Sequence, residues 1–311
     1  MNGRILSIGM ALGCVFGPVK ASDPELISRA APGTAASTAA AASMGGIYSV
    51  DANLVIFSSA ADDLVNLPGT SNFELYLWNR AEDSVQTLSR GMAGPANGGS
   101  FVGSVTADSR SLVFFSSASN LTEGDLNQSN DIFLRDLETG HTTLISTNSA
   151  GFAANGGSQY PEISADGKWI VFESYATDLT GNDQNLRLDL FARRSSDGSI
   201  HRINAGPAGE SLETETDQFQ ISGDGRFVMF TASGQNLLAP NQASFGEIYL
   251  HDLEAGTNRW VSSAFTNVPS LNGAWASAGA MSTDGRFVFA IAERTRPDTD
   301  RNPQYIHELT N

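Results

Sequence analysis

The chain has 311 residues, with 34 Asp and Glu against 18 Lys and Arg, a net charge of -16, and a single Cys. One Cys excludes an intrachain disulfide framework and a Cys-rich zinc site. The acid excess excludes electrostatic capture of nucleic acid or of an anionic membrane surface. The length suits one large domain or two small ones, and either can bury a core.

Residues 1–21, MNGRILSIGMALGCVFGPVKA, read as a signal peptide. Arg4 supplies the positive start, Ile5 to Val19 is apolar but too short to span a bilayer, and Val19-Lys20-Ala21 fits the small-x-small cleavage pattern. Ala11-Leu12-Gly13-Cys14 loosely resembles a lipobox, with Ala where that motif has Leu, so lipoprotein anchoring through Cys14 is the competing expectation. Cleavage after Ala21 removes Arg4, Lys20 and Cys14 and no acid, which moves the net charge from -16 to -18. A Cys-free mature chain suits an oxidising compartment, so a periplasmic or secreted protein is expected. No other apolar run is long enough for a membrane span.

Residues 22–43 carry one short strand pattern, Glu25-Leu26-Ile27-Ser28, and a low-complexity linker, AAPGTAASTAAAAS, over 30–43. From there to Asn311 the chain repeats. VDANLVIFSSAADDL, ADSRSLVFFSSASNL, ADGKWIVFESYATDL, GDGRFVMFTASGQNL and TDGRFVFAIAE align on Asp51, Asp108, Asp166, Asp224 and Asp284, at spacings of 57, 58, 58 and 60. A period held over four intervals marks a repeat protein.

Each unit has one internal order. A first strand ends at Ser or Thr, as in PEIS at Pro161–Ser164, and a tight turn follows, with Asp-Gly at its centre in three copies. Asp and Gly tolerate the positive φ of a two-residue hairpin turn. Then come an apolar second strand such as WIVFES, a loop of more than ten residues, and a third strand (IFLRDL at Ile132, LFARRS at Leu190, IYLHDL at Ile248). A turn, ETG at Glu138 or EAG at Glu254, leads to a fourth strand such as TTLIS at Thr142. Four antiparallel strands repeated in series predict an all-β fold, a single β-propeller.

The fifth unit reaches its third strand, QYIHEL at Gln304, and ends at Asn311 without a fourth. Glu25-Leu26-Ile27-Ser28 matches the fourth-strand pattern Thr143-Leu144-Ile145-Ser146. Ser28 precedes Asp51 by 23 residues and Ser146 precedes Asp166 by 20. Residues 24–28 are therefore expected to supply the outer strand of the last blade and close the ring. The expected organisation is a signal peptide at 1–21, clasp strand and linker at 22–43, and a monomeric five-bladed propeller at 44–311.

The S-x-D-G-[KR]-x-[IV]-x-F core, followed by the I-[FY]-L-x-D-L-x-[TA]-G strand and turn, resembles the WD-like propeller repeats of the TolB-like family. The resemblance covers essentially the whole mature chain and implies an extracytoplasmic bacterial propeller. TolB carries a separate α/β domain before its propeller, and this chain is expected to have no room for one, which leaves a role in the Tol–Pal system open. The repeats also resemble the propeller of prolyl oligopeptidases, without the hydrolase domain or a G-x-S-x-G elbow.

In such a meander the loops joining strands one and two, and three and four, share one face, and here they are tight. The other face has the long loops: EGDLNQSND at Glu123, TGNDQNLRLD at Thr180, and NGGS at Asn97 and Asn155. Function usually sits on long loops held by a rigid scaffold. There, Asp125-x-Asn127-x-x-x-Asp131 recurs as Asp183-x-Asn185-x-x-x-Asp189, and these hard oxygen donors could wrap calcium. Asp298, Asp300 and Asn302 form a weaker version, and units one and four retain only Thr70/Asn72 and Asn241. The alternative is that Asp and Asn cap their own turns.

His251 and His307 occupy equivalent third-strand positions, where unit two has Arg135, so they are not a converging metal cluster. Trp78, Trp169 and Trp260 read as packing residues, and Trp275 as the one nearest the channel mouth. A glycosidase would need paired carboxylates in the channel. The positions equivalent to Glu162 are Ile47, Ser104, Gln220 and Ala280, with Glu215 and Asp217 nearby. The expectation is a non-catalytic scaffold whose long-loop face binds an envelope or secreted protein, or a polysaccharide. A five-bladed carbohydrate-active hydrolase is the alternative. Deleting residues 22–30 should lower the melting temperature sharply, and an unchanged value would refute the clasp.

Overall fold

A computed structural model of the chain describes residues 42–65, 72–181, 183–210, 214–235, 237–238, 243–262, 275–293 and 304–308. The signal peptide, the clasp segment, and Asp298, Asp300 and Asn302 lie outside the described residues, as do Thr70 and Asn241. Among the described residues the regular structure is all strand, and no helix is long and apolar enough to cross a membrane.

The strands form separate antiparallel meanders. The first sheet is β1 (Ser43–Tyr48), β2 (Leu54–Ser59), β3 (Glu74–Asn79) and β4 (Ser84–Thr87). The second is β5 (Ser100–Val105), β6 (Ser111–Ser116), β7 (Asp131–Asp136) and β8 (Thr142–Leu144). The third is β9 (Ser158–Ile163), β10 (Trp169–Ser174), β11 (Asp189–Arg194) and β12 (Ile200–Arg202). The fourth is β13 (Thr214–Ile221), β14 (Phe227–Gln235), β15 (Ala243–Asp252) and β16 (Thr257–Trp260). The fifth has three described strands, β17 (Trp275–Met281), β18 (Phe287–Glu293) and β19 (Gln304–Glu308). The first strands of successive sheets touch in order, β1 with β5, β5 with β9, β9 with β13, and β13 with β17. They are the inner strands around a common axis.

The middle strands are apolar without alternation because both of their faces are buried. Along β10, Ile170 and Phe172 enter the core shared with the second sheet, and Val171 enters the core shared with the fourth. The same alternation sends Leu112 and Phe114 to the first sheet and Val113 to the third. A stacked ring pair from the second and third strands recurs: Phe57 with Tyr76 (5.8 Å), Phe114 with Phe133 (5.4 Å), Phe172 with Phe191 (6.1 Å) and Phe230 with Tyr249 (5.5 Å). Phe57, Tyr76 and Trp78 are buried on the side of the first sheet turned away from the second, where repeat equivalence places the core of a closing interface.

The first turn of every unit is built alike. The hydroxyl of Ser49, Thr106, Ser164, Ser222 or Ser282 donates to Oδ1 of the Asp two residues on, at 2.5 to 2.7 Å. The same Asp oxygen accepts the backbone N–H of Asn53, Arg110, Lys168, Arg226 or Arg286 at 3.1 Å. The next residue takes positive φ: Gly167 (73°), Gly225 (71°) and Gly285 (66°), but also Ala52 (57°) and Ser109 (59°). A side chain in this left-handed region costs about 1–2 kcal/mol, against about 0.5–1 kcal/mol for the extra chain entropy of Gly. Ser109→Gly should therefore raise stability by roughly 0.5 kcal/mol in urea unfolding. Gly225→Ala should lower it by about 1–3 kcal/mol, because its Cβ would also lie 2.9 Å from Ser164 Cβ.

Candidate functional site

The inner strands are irregular. Each carries a register irregularity against its second strand, between Met44 and Ile47, Val102 and Ser104, Gln159 and Glu162, Thr216 and Phe219, and Ala278 and Ala280. An extra residue in one strand re-aims the side chains beyond it. The side chain just past it reaches the next sheet. Ser104 Oγ accepts the N–H of Ile163 (2.7 Å), Glu162 Oε2 that of Ile221 (2.9 Å), and Gln220 Oε1 that of Met281 (2.7 Å). Glu162 thus occupies the position of a staple between sheets that Ser and Gln also fill. Burial pushes its carboxyl up to about 7, and no charged group among the described residues contributes to that shift. Glu215 and Asp217 fall in β13, with side chains outside the described set.

On the long-loop face the two Asp-Asn-Asp loops differ. The Asn of each caps its own turn: Asn127 Oδ1 accepts the N–H of Ser129, and Asn185 Oδ1 that of Arg187, both at 2.9 Å. The Asp side chains are instead buried, with Asp125 3%, Asp131 0%, Asp183 6% and Asp189 1% exposed. In the third sheet Arg202 Nη1 lies 3.1 Å from Asp183 Oδ1 and 3.6 Å from Asp189 Oδ2. In the second sheet the register-equivalent residue is Leu144, since Phe133 pairs with Leu144 as Phe191 pairs with Arg202. Burial raises the pKa of both Asp125 and Asp131, Asp131 to about 7, with the charge of Asp125 adding to the rise.

Asp131 and Asp189 also belong to a latch that motif reading missed. The Ser146 hydroxyl donates to Asp131, Asn204 Nδ2 to Asp189 (2.6 Å), and the Ser262 hydroxyl to Glu247. Ser146, Asn204 and Ser262 in turn accept the backbone N–H of the residue that follows the acid, Ile132, Leu190 or Ile248, at 3.0 Å. The signal was present: an acid of the third strand is followed 15 residues later by Ser or Asn, at Glu74/Ser89, Asp131/Ser146, Asp189/Asn204 and Glu247/Ser262.

The NGGS loops are clamps. Asn155 donates through Nδ2 to Thr177 Oγ1 and accepts the Thr177 N–H, both at 2.9 Å, and Asn97 does the same with Ser119. A Cβ on Gly156 would lie 2.7 Å from the Tyr175 backbone. His251 is buried with Nδ1 2.9 Å from Asn258 Oδ1, Trp169 is buried, and Trp260 donates to Glu247 Oε2 (3.0 Å). Trp275 and His307 have side chains outside the described set. Among the described residues no three carboxylate, imidazole or thiol side chains form a metal-ligand cluster. A groove of about 1020 Å³ runs between the third and fourth sheets beside β12, lined by Trp169, Arg194, His201, Arg226 and Asn258 among others.

The geometry matches known structures at the level of fold. The chain is similar to the β-propeller domain of the Trilobed protease from Pyrococcus furiosus, with a TM-score of 0.51, 11% identity, and 87% of this chain and 70% of that one covered. The fold is a β-propeller. The chain is also similar to TolB from Acinetobacter baumannii (TM-score 0.45, 17% identity, 86% of this chain covered) and to a chain from Agrobacterium tumefaciens described as a TolB (0.43, 19%, 68%). It spans 52% and 62% of the length of those two chains. No protein-family model matches the sequence, and no curated protein matches it.

The buried Glu162 carboxyl gives a pH test. Its value in the fold lies above the ordinary 4.5, so the folded state holds the proton more tightly and loses stability as pH rises from about 4.5 through 7. Glu162→Gln keeps the acceptor that Gln220 supplies one sheet on. It should stabilise the protein by about 1–3 kcal/mol at pH 8 and by almost nothing at pH 4.5. Urea unfolding at both values checks this, and an equal effect at both would overturn it.

Proposed function

We propose that this chain is a non-catalytic, secreted or periplasmic TolB-like propeller that binds a protein partner through its long-loop face. The observation that carries the reading is the apolar surface on those loops, where Met92 is 61%, Leu126 78%, Phe152 56%, Tyr175 53% and Leu186 77% exposed. Large apolar side chains held in water on the loops of a rigid scaffold offer an interaction surface. Leu186 is the sharpest case, because it also takes φ +55°, so neither packing nor backbone geometry calls for Leu there.

The proposed organisation is a signal peptide at 1–21, a clasp strand and linker at 22–43, and a monomeric five-bladed propeller at 44–311. The buried face of Phe57, Tyr76 and Trp78 supports ring closure against the last blade. The hydrolase alternative draws no support from Glu162, whose Oε2 is committed to the Ile221 N–H.

The test is capture from envelope extract with the mature protein and with a Leu126→Asp/Leu186→Asp variant. Both positions are exposed, so unfolding should shift by no more than about 0.5 kcal/mol. The expected result is a specific protein enriched by the parent and at least tenfold less by the variant. Equal capture by both overturns the reading, and enrichment of polysaccharide alone reassigns the face to a polymer.

A further inference from the structure

We propose that the second sheet holds a divalent cation, of the calcium class, between Asp125 and Asp131, and that the third sheet has replaced that cation with the guanidinium of Arg202. The two sheets carry the same loop at the same register, and each buries two carboxylates at the entry of its third strand. In the third sheet Arg202 Nη1 stands 3.1 Å from one carboxylate and 3.6 Å from the other. In the second, the side chain in that place is Leu144, which packs against the core between the first two sheets.

The oxygens left behind are what a hard cation requires. Both carboxylate oxygens of Asp125, and Oδ2 of Asp131, are buried with no hydrogen-bond partner among the described residues, and so is the hydroxyl of Thr122, three residues before Asp125. Asp131 Oδ1 is already taken by the Ser146 hydroxyl, which leaves Oδ2 as the donor. No cationic side chain contributes to the electrostatics of Asp125, and the one side chain that does, the Asp131 carboxyl, lies at hydrogen-bonding range of it. Two buried carboxylates side by side with no cation carry a desolvation cost of several kcal/mol. A calcium ion takes six to eight oxygens from carboxylates, hydroxyls, carbonyls and water, so two Asp and a Thr make a partial cage that carbonyls and water complete. With only two acids and no imidazole or thiol, the donor set fits calcium and not zinc. The loop is held open for it: Asn127 Nδ2 donates to Ala154 O (2.8 Å), and positive φ at Gly124 (85°) and Gln128 (56°) turns the chain on either side of Asp125 and Asn127.

The experiment is calorimetric titration of the EDTA-stripped full mature chain with CaCl₂, with thermal unfolding alongside. The expected result is one site per chain and a melting temperature that rises with calcium. Asp125→Asn should weaken binding at least tenfold, and Asp183→Asn should leave the stoichiometry at one. Leu144→Arg, which transplants the cation of the third sheet, should give a folded protein that no longer responds to calcium. If that variant fails to fold, Asp125→Asn alone decides. No heat and no thermal shift at millimolar calcium would overturn the proposal, as would undiminished binding by Asp125→Asn.

Discussion

Everything in this molecule depends on burying two apolar faces per sheet. A middle strand such as Trp169–Ser174, buried along its whole length, has no solvent face to offer. Its side chains alternate between two different cores, so one sheet alone would leave half of them in water, at about 1.5–3 kcal/mol for each large residue. Only a neighbour on each side removes that cost, and a twisted sheet with a neighbour on each side generates a ring. The stacked pairs Phe114–Phe133, Phe172–Phe191 and Phe230–Tyr249 are this constraint repeated at the same register.

Ring packing then dictates where polar groups must be satisfied. At the tight face, turns of adjacent sheets bond directly, Ala107 N–H to Ala165 O (3.0 Å) and Gly223 N–H to Thr283 O (2.8 Å). At the inner strands, an N–H of one sheet is accepted by a side chain of its neighbour. Ser104, Glu162 and Gln220 do so with three chemistries and one geometry. From the third strand Arg193 Nη1 donates to Ile145 O and Thr147 O of the preceding sheet (both 2.8 Å), and from the outer strand Asn258 Nδ2 donates to Ile203 O (2.8 Å). Buried polar groups at a sheet–sheet boundary must be paired.

What the sequence could reveal follows the range of each interaction. The Ser-x-Asp turn is closed by its own side chains, so its place and its positive-φ position could be read directly, but it is a five-residue turn with one positive φ and not the two-residue turn that Asp-Gly suggests. The apolar strands could be read because burial on both faces leaves an unbroken run. The strand irregularities left an uneven signature: Gly45-Gly46, Gly103 and Gly279 fill the place in three units, but Tyr160-Pro161 and Asp217-Gln218 fill it in the other two. The role of Glu162 depends on Ile221, 59 residues away, and in a list of acids it looks like a channel carboxylate. The Asp-Asn-Asp loops were half legible. The spacing found the residues, but what separates the two loops is a residue outside the motif, Leu144 in one and Arg202 in the other.

That separation also explains the acid excess. The turn aspartates lie at the surface with their own hydroxyl and N–H partners. These hold the pKa values of Asp51, Asp108 and Asp284 below the ordinary range, so their charge is stabilised where it sits. Acids that open third strands are different. Asp131 and Asp189 are buried by the ring and latched to Ser146 and Asn204, two residues past the fourth strand, so each needs more than a hydrogen bond once a second carboxylate joins it. Where that second carboxylate is present, the third sheet meets it with an arginine from its own outer strand. The second sheet, with the same backbone and the same burial, has leucine there, and the proposed counter-ion from solution is the counterpart of its neighbour's arginine.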